Sequence, residues 1–145
     1  MLGLLLAAAA VTDIRARIIS NRLNLAIAAL APGYWLAAGL TIWPGMALQL
    51  ALGAGVFAIF AALFALGLMG GGDVKLLAAV ALWFPWQALL ALLTLMAVLG
   101  GGVTLVTLLH HRLARREGAP EVPYGVAIAL AGLWLVGERI LYQFT

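Results

Sequence analysis

The residues in this chain best suited to chemistry are its two aspartates, Asp13 and Asp73. Asp13 closes the first apolar run of the chain, and Asp73 opens the fourth, directly after three glycines. Two carboxylates brought together do not both ionise easily, so such a pair shares one proton. The ionised member can activate a water molecule while the protonated member donates to a peptide carbonyl oxygen. The pair therefore predicts hydrolysis by carboxyl acid–base chemistry.

Each aspartate also has a purely structural interpretation. Asp13 precedes Arg17 by one helical turn, a spacing at which an ion pair stabilises a helix by about 0.2–0.5 kcal/mol. Asp73 precedes an apolar helix, which is a good position for an N-cap residue. Spacing alone leaves these alternatives open. A catalytic pair requires the first and fourth segments to pack side by side with the two carboxyls facing each other.

The elements that position these residues are apolar. Hydrophobic residues make up 66% of the 145 positions and charged residues 9%, whereas soluble domains are about a quarter charged. Six apolar segments follow one another: 2–14, 21–40, 46–68, 74–83, 86–109 and 124–142. We expect an all-α polytopic membrane bundle of about six transmembrane helices in a single domain, 1–145. The first and fourth segments are short for spans of about 20 residues, so we expect the first to continue towards Ile19.

The basic residues predict the orientation of the bundle. Apart from Arg139, they all lie in or directly beside the turns after the first, third and fifth segments: Arg15, Arg17, Arg22, Lys75, Arg112, Arg115 and Arg116. Alternate loops share a side of the membrane, and the positive-inside rule places these three in the cytoplasm. We therefore expect both termini outside, and both aspartates at the cytoplasmic edge of the inner (plasma) membrane.

Several functional classes are excluded. The basic residues form no stripe with interleaved aromatics, so we expect no nucleic-acid partner. The chain has no cysteine, which excludes disulfides and thiolate metal sites. His110 and His111 are adjacent and point in different directions on a helix, so we expect neither a metal site nor a cofactor.

Three stretches carry a resemblance to a known family. Residues 70–77, Gly-Gly-Gly-Asp-Val-Lys-Leu-Leu, resemble the GxGD-[VA]-K-L signature of type IV prepilin leader peptidases, which are membrane aspartyl proteases. Residues 13–21, Asp-Ile-Arg-Ala-Arg-Ile-Ile-Ser-Asn, resemble that family's Asp-x-Arg element, which ends in Ile-Pro-Asn. Residues 123–127, Pro-Tyr-Gly-Val-Ala, resemble its Pro-Tyr-Gly-Pro-Ala element. Ser20 and Val126 stand where the family usually has proline.

The resemblance implies a function. Asp13 and Asp73 would be the catalytic pair of an aspartic endopeptidase that removes the short basic leader of type IV prepilin-like substrates, after a glycine, at the cytoplasmic membrane face. Bifunctional relatives also N-methylate the product and carry a long cytoplasmic insert with zinc-binding cysteines. Here that loop is only residues 15–20, so the chain is similar to the short, peptidase-only form of the Tad/Flp pilus branch and archaeal preflagellin peptidases.

Further residues are candidates for the active-site loop or for substrate binding. Gly70 and Gly72 either adopt φ values that other residues avoid and let a substrate strand approach closely, or form an ordinary flexible turn before the helix. Lys75 is placed either to tune the aspartates or to contact lipid phosphate, and Asn21 to cap the second helix. The resemblance adds three residues at the start of the last helix: Pro123, Tyr124 and Gly125.

Two other functions remain open on the sequence. The first is a broader GxGD intramembrane protease acting on other membrane segments. The Asp-x-Arg element and the small size argue against it. The second is a transporter or assembly subunit whose aspartates handle protons or ions rather than peptide bonds.

Overall fold

The fold is a bundle of helices. The computed structural model describes residues 1–113 and 124–141. The six helices in this part of the chain are α1 Leu2–Ala16, α2 Asn21–Ala37, α3 Ala47–Ala65, α4 Gly71–Ala81, α5 Trp86–Leu113 and α6 Tyr124–Leu141. They match the six apolar segments to within a few residues, and no strand occurs in the described ranges. The all-α prediction is confirmed.

The short helix α4 lies at the centre of the bundle. Helices α2, α3 and α6 pack against it, while α1 and α5 pack mainly against α6. Leu76, Leu77 and Val80 of α4 are completely buried and form the middle of the apolar core. An 11-residue helix is about 16 Å long, about half the thickness of a hydrocarbon core of about 30 Å. Because protein surrounds α4, its ends need not contact lipid.

Buried side chains hold the C-terminal end of α4 in place. The indole N–H of Trp35 on α2 donates to the carbonyl oxygen of Leu82 at 2.7 Å. The amide of Gln49 on α3 donates to the carbonyls of Leu82 and Phe84 at 2.9 and 3.0 Å. The last carbonyls of a helix lack partners within it, so these donors satisfy groups that would otherwise be buried without hydrogen bonds. They also fix α4 relative to α2 and α3.

Within the described ranges, two stretches are long and apolar enough to cross a membrane, judged by length and composition. They are Ile42–Ala65, which comprises α3 and the turn before it, and Trp86–His110 in α5. Only 17% of the most apolar part of each is buried, whereas the core helix of a soluble protein is mostly buried. Large apolar side chains such as Ile59 and Val98 are exposed instead. Such an outer surface suits lipid better than water.

The connection between α1 and α2 differs from the prediction. Helix α1 ends at Ala16, because Arg17 adopts a left-handed conformation with φ 51°. The expected continuation of the helix to Ile19 is therefore wrong. Ile19 instead lies in the connection between α1 and α2, with its side chain buried in the core. Its position brings it beside the two aspartates.

Candidate active site

Asp13 lies in the last turn of α1 and contacts the beginning of α6. Its carboxylate is only 4% exposed, and Oδ2 accepts a hydrogen bond from the backbone N–H of Val126 at 3.0 Å. The backbone N–H of Gly125 also interacts with this carboxylate. The first N–H groups of a helix have no partner within it and carry the positive end of the helix dipole. The start of α6 is therefore a favourable place for the Asp13 carboxylate.

Asp73 is the third residue of α4 and approaches the same point. It is 9% exposed, and its carboxylate interacts with the backbone N–H of Gly70 and with that of Gly125. Gly70 is the N-cap residue of α4, so Asp73 reaches back to the cap and is not itself the cap. Asp13 is close enough for its charge to act on Asp73. The two carboxylates thus converge on the N-terminus of α6.

The helices that carry the aspartates do not pack as expected. Helix α6 packs along α1 and also against α4, whereas contact between α1 and α4 is slight. The prediction that the first and fourth segments pack side by side is therefore wrong. The carboxyls meet because Asp13 is near the end of α1, Asp73 is near the start of α4, and α6 begins between them.

The glycines at the site provide space rather than unusual backbone angles. A Cβ atom on Gly125 would lie 2.7 Å from Oδ2 of Asp13 and 2.5 Å from Cδ1 of Ile19, and one on Gly70 would lie 2.9 Å from Oδ2 of Asp73. Gly72 is less restricted, with Ile19 at 3.5 Å. In the described residues, positive φ occurs at other glycines, Gly39 and Gly67. The expectation that Gly70 and Gly72 adopt such φ values is wrong.

Lys75 and Asn21 contact each other at the side of α4. The ammonium of Lys75 donates to Oδ1 of Asn21 at 2.9 Å, which links α4 to α2. Both residues line a groove between α2 and α3. The cap of α2 is Ser20, whose Oγ accepts from the N–H of Leu23 at 3.2 Å. The expectation that Asn21 caps this helix is therefore wrong.

The last sequence element is only partly described. Gly125 is buried at the carboxylates, as the preceding contacts show. Tyr124 is half-buried, and its ring packs beside Gly100 of α5. Pro123 lies outside the described residues.

Two residues at this end of the bundle were not predicted from the sequence to belong to the site. Ile19 is buried beside both Gly72 and Gly125 and closes the apolar side of the site. Asn24 is 5% exposed, and its amide nitrogen donates to the carbonyl of Gly72 at 3.2 Å. The available signal for Asn24 was an amide side chain within an otherwise apolar segment.

Comparison with known proteins decides the family. Residues 1–105, which include both aspartates, match the type IV leader peptidase family. The chain belongs to this family. The match confirms the family resemblance and includes two of the three sequence elements, residues 13–21 and 70–77, whereas residues 123–127 lie outside it. Together with the apolar outer helices, membership identifies a membrane protein.

Several curated proteins are similar to this type IV leader peptidase family member. The prepilin leader peptidase/N-methyltransferase of Aeromonas hydrophila is 39% identical over 69 residues, covering 46% of this chain and 22% of that protein. The protein of that name from Stutzerimonas stutzeri is 35% identical over 80 residues, covering 52% and 26%. The chain thus matches about a quarter of the length of these relatives. No solved structure matches it.

Proposed function

We propose that this chain is a membrane aspartyl endopeptidase that removes the short basic leader from type IV prepilin-like proteins. The convergence of Asp13 and Asp73 at the N-terminus of α6 is the observation that carries the proposal. Family membership and the names of the similar proteins support the substrate class.

The carboxyl pair can perform the hydrolysis as one unit. One carboxylate takes a proton from water, and the resulting hydroxide attacks the scissile carbonyl carbon while the protonated partner donates to the carbonyl oxygen. Collapse of the tetrahedral intermediate breaks the C–N bond, and the leaving amine takes a proton from the pair. The apolar surroundings of the site, including Ile19, limit access of water and strengthen the interactions of the charged groups.

The proposed topology has six spans with both termini outside and the site facing the cytoplasm. Arg15, Arg17 and Arg22 lie around the α1–α2 connection, at the same end of the bundle as the aspartates. This charge distribution supports a cytoplasmic position for that end. We also propose that residues 1–145 act as one domain, with membrane lipid around it. The substrate leader then remains cytoplasmic while its apolar helix lies in the bilayer.

The direct test is cleavage by aspartate variants. Wild type, Asp13→Asn and Asp73→Asn are co-expressed with prepilins from the same genome, and the mass of each product is measured. We expect both single variants, and the double variant to the same extent, to leave the leader in place, because the acid and base act together. Glu138→Gln is the control, since Glu138 is exposed at the far end of α6.

Two different results would contradict the proposed function. Cleavage at the wild-type rate by either aspartate variant would remove the pair from the mechanism. Proton uptake in vesicles by a wild-type protein that cleaves no prepilin would favour the transporter function instead.

A further inference from the structure

A groove of about 570 Å³ lies along α4, with α2 and α3 as its walls. Helices α2 and α3 each pack on α4, while contact between them is slight. The end of the groove near Asp73 is polar, with Asn21, Asn24 and Lys75. Its remaining length is apolar, ending at Leu50 and Leu82. From Lys75 to Leu82 the floor is about 10 Å long, which is two helical turns.

Asn24 is the unusual residue in this groove. Its amide nitrogen donates to the carbonyl of Gly72, but its buried Oδ1 has no donor among the described residues. A buried acceptor without a partner is unfavourable, so a bound donor at this position would stabilise the complex. Asn24 also contacts the residue directly before Asp73. The polar end of the groove therefore lies beside the candidate active site.

We propose that this groove binds the first turns of the substrate's apolar helix, and that Oδ1 of Asn24 accepts a backbone N–H from that helix. The inference rests on the proposed function, because it specifies how the same site holds its substrate. It makes Asn24 a substrate-binding residue that also positions Gly72.

The chemistry of the groove favours a peptide over a lipid chain. An acyl chain would fill the apolar part of the groove but has no donor for Oδ1. A peptide helix has free N–H groups only in its first turn, since the later ones bond within the helix. That turn must therefore lie at the polar end, beside Asn24, with the apolar side chains of the helix extending towards Leu50 and Leu82.

This placement also fixes the position of the scissile bond. The segment that precedes the substrate helix leaves the groove at the polar end, where Asn24 contacts Gly72. Asp73 is the next residue in α4, so the extended segment before the helix passes close to the aspartates. Because Oδ1 is buried, binding requires a slight separation of α2 and α3, whose mutual contact is small.

Kinetics with two substrates test the role of Asn24. We expect Asn24→Leu to raise the KM for a full-length prepilin about tenfold, the loss that corresponds to one hydrogen bond. Ala54→Leu, which fills the groove from α3, should raise it as well. Neither should raise the KM for a peptide that ends shortly after the scissile bond. Ala97→Leu on the exposed face of α5 is the matched control and should match wild type. Equal loss of kcat with both substrates, at unchanged KM, would reduce Asn24 to a structural residue and overturn the proposal.

Photocrosslinking separates this inference from the proposed function, since it needs no cleavage. Benzoylphenylalanine replaces Phe57 in the groove or, as a control, the exposed Trp134 of α6, in an Asp73→Asn background. We expect prepilin to crosslink at position 57 and not at 134, and Asn24→Leu to weaken the crosslink. Crosslinks to lipid alone, or equal yields at both positions, would overturn the groove assignment. If the crosslinking variants give either of these results while the wild-type protein cleaves prepilin, the proposed function stands and the groove assignment does not.

Discussion

Gly125 leaves the space that the Asp13 carboxylate occupies. A methyl group at this position would overlap both Asp13 and Ile19, and its distances to their nearest atoms, 2.7 and 2.5 Å, are well inside van der Waals contact. The backbone N–H of the same residue interacts with both carboxylates. One glycine therefore contributes a donor to both carboxylates and the room needed for the Asp13 side chain. The geometry of the proposed catalytic pair depends on a missing side chain as well as on the carboxyls.

Gly125→Ala is expected to lower prepilin cleavage by about 100-fold, because a catalytic group displaced by about 1 Å can cost that much. Gly70→Ala should act in the same direction through Asp73, whose Oδ2 lies 2.9 Å from the new methyl group. Gly101→Ala is the matched control, since nothing lies within 4 Å of a Cβ there. Initial cleavage rates in detergent measure the effect. Full activity of Gly125→Ala would show that the carboxylate position is not critical.

Gly72 is the second glycine of the signature, and Gly72→Ala tests whether this residue admits the substrate backbone or only connects two helices. Its Cβ would be in ordinary contact with Ile19 at 3.5 Å, so we expect the melting temperature in detergent to stay close to that of wild type. If the substrate backbone approaches this residue, the KM for prepilin should still rise. Parallel melting and cleavage assays decide between the two. An unchanged melting temperature and an unchanged KM would show that Gly72 only connects the two helices.

Helix α4 depends on its neighbours. Isolated helices of 11 residues are unstable in water, because nucleation costs more than a few hydrogen bonds return. Here α2, α3 and α6 surround the helix, and donors from Trp35 and Gln49 satisfy the carbonyls at its C-terminal end. Gly70 begins the helix at the other end and contacts Asp73. The position of the Asp73 carboxylate is therefore a consequence of how α4 is held.

Gln49→Leu should destabilise the protein by about 1–3 kcal/mol, because it removes one buried and one partly buried hydrogen bond and leaves the carbonyl of Phe84 without this donor. Thermal unfolding in detergent, followed by circular dichroism, measures the change. Gln87→Leu provides the control, since Gln87 is exposed at the start of α5. Equal melting temperatures for the two variants would show that α4 needs no such anchoring.

At the scale of the whole molecule, the bundle has basic residues at one end and an apolar surface along its outer helices. Lys75 and the arginines around the α1–α2 connection lie at the end that carries the aspartates. The outer faces of α3 and α5 are apolar and exposed over most of their length. Under the proposed topology, the basic end of the bundle faces the cytoplasm.

The absence of cysteine makes this topology testable by single-cysteine labelling. Ile18→Cys lies in the α1–α2 connection, and Thr41→Cys lies between α2 and α3; both positions are exposed. In spheroplasts, a membrane-impermeant maleimide should label position 41 directly and position 18 only after permeabilisation. The unmodified chain controls for background. The reverse pattern would place the aspartates outside the cytoplasm.

The sequence by itself determined the class of the fold and singled out the two aspartates whose carboxylates converge. The six helices follow from long apolar segments separated by turn residues, which are local properties of the chain. The aspartates were identifiable by their scarcity, by their positions at segment ends and by the motifs around them. Helix ends were less predictable, since Ser20 rather than Asn21 caps α2 and α1 stops at Ala16.

Only the tertiary structure decided how the site is assembled. The hydrogen bond from Val126 to Asp13 spans 113 positions along the chain, and no local pattern specifies such a contact. The same holds for α6 as the element that joins α1 and α4, and for the space at Gly125. Asn24 acquires its significance only when α2 packs against Gly72. Hydropathy and motif spacing are properties of neighbours in sequence, whereas the pairing of two carboxyls depends on packing between distant segments.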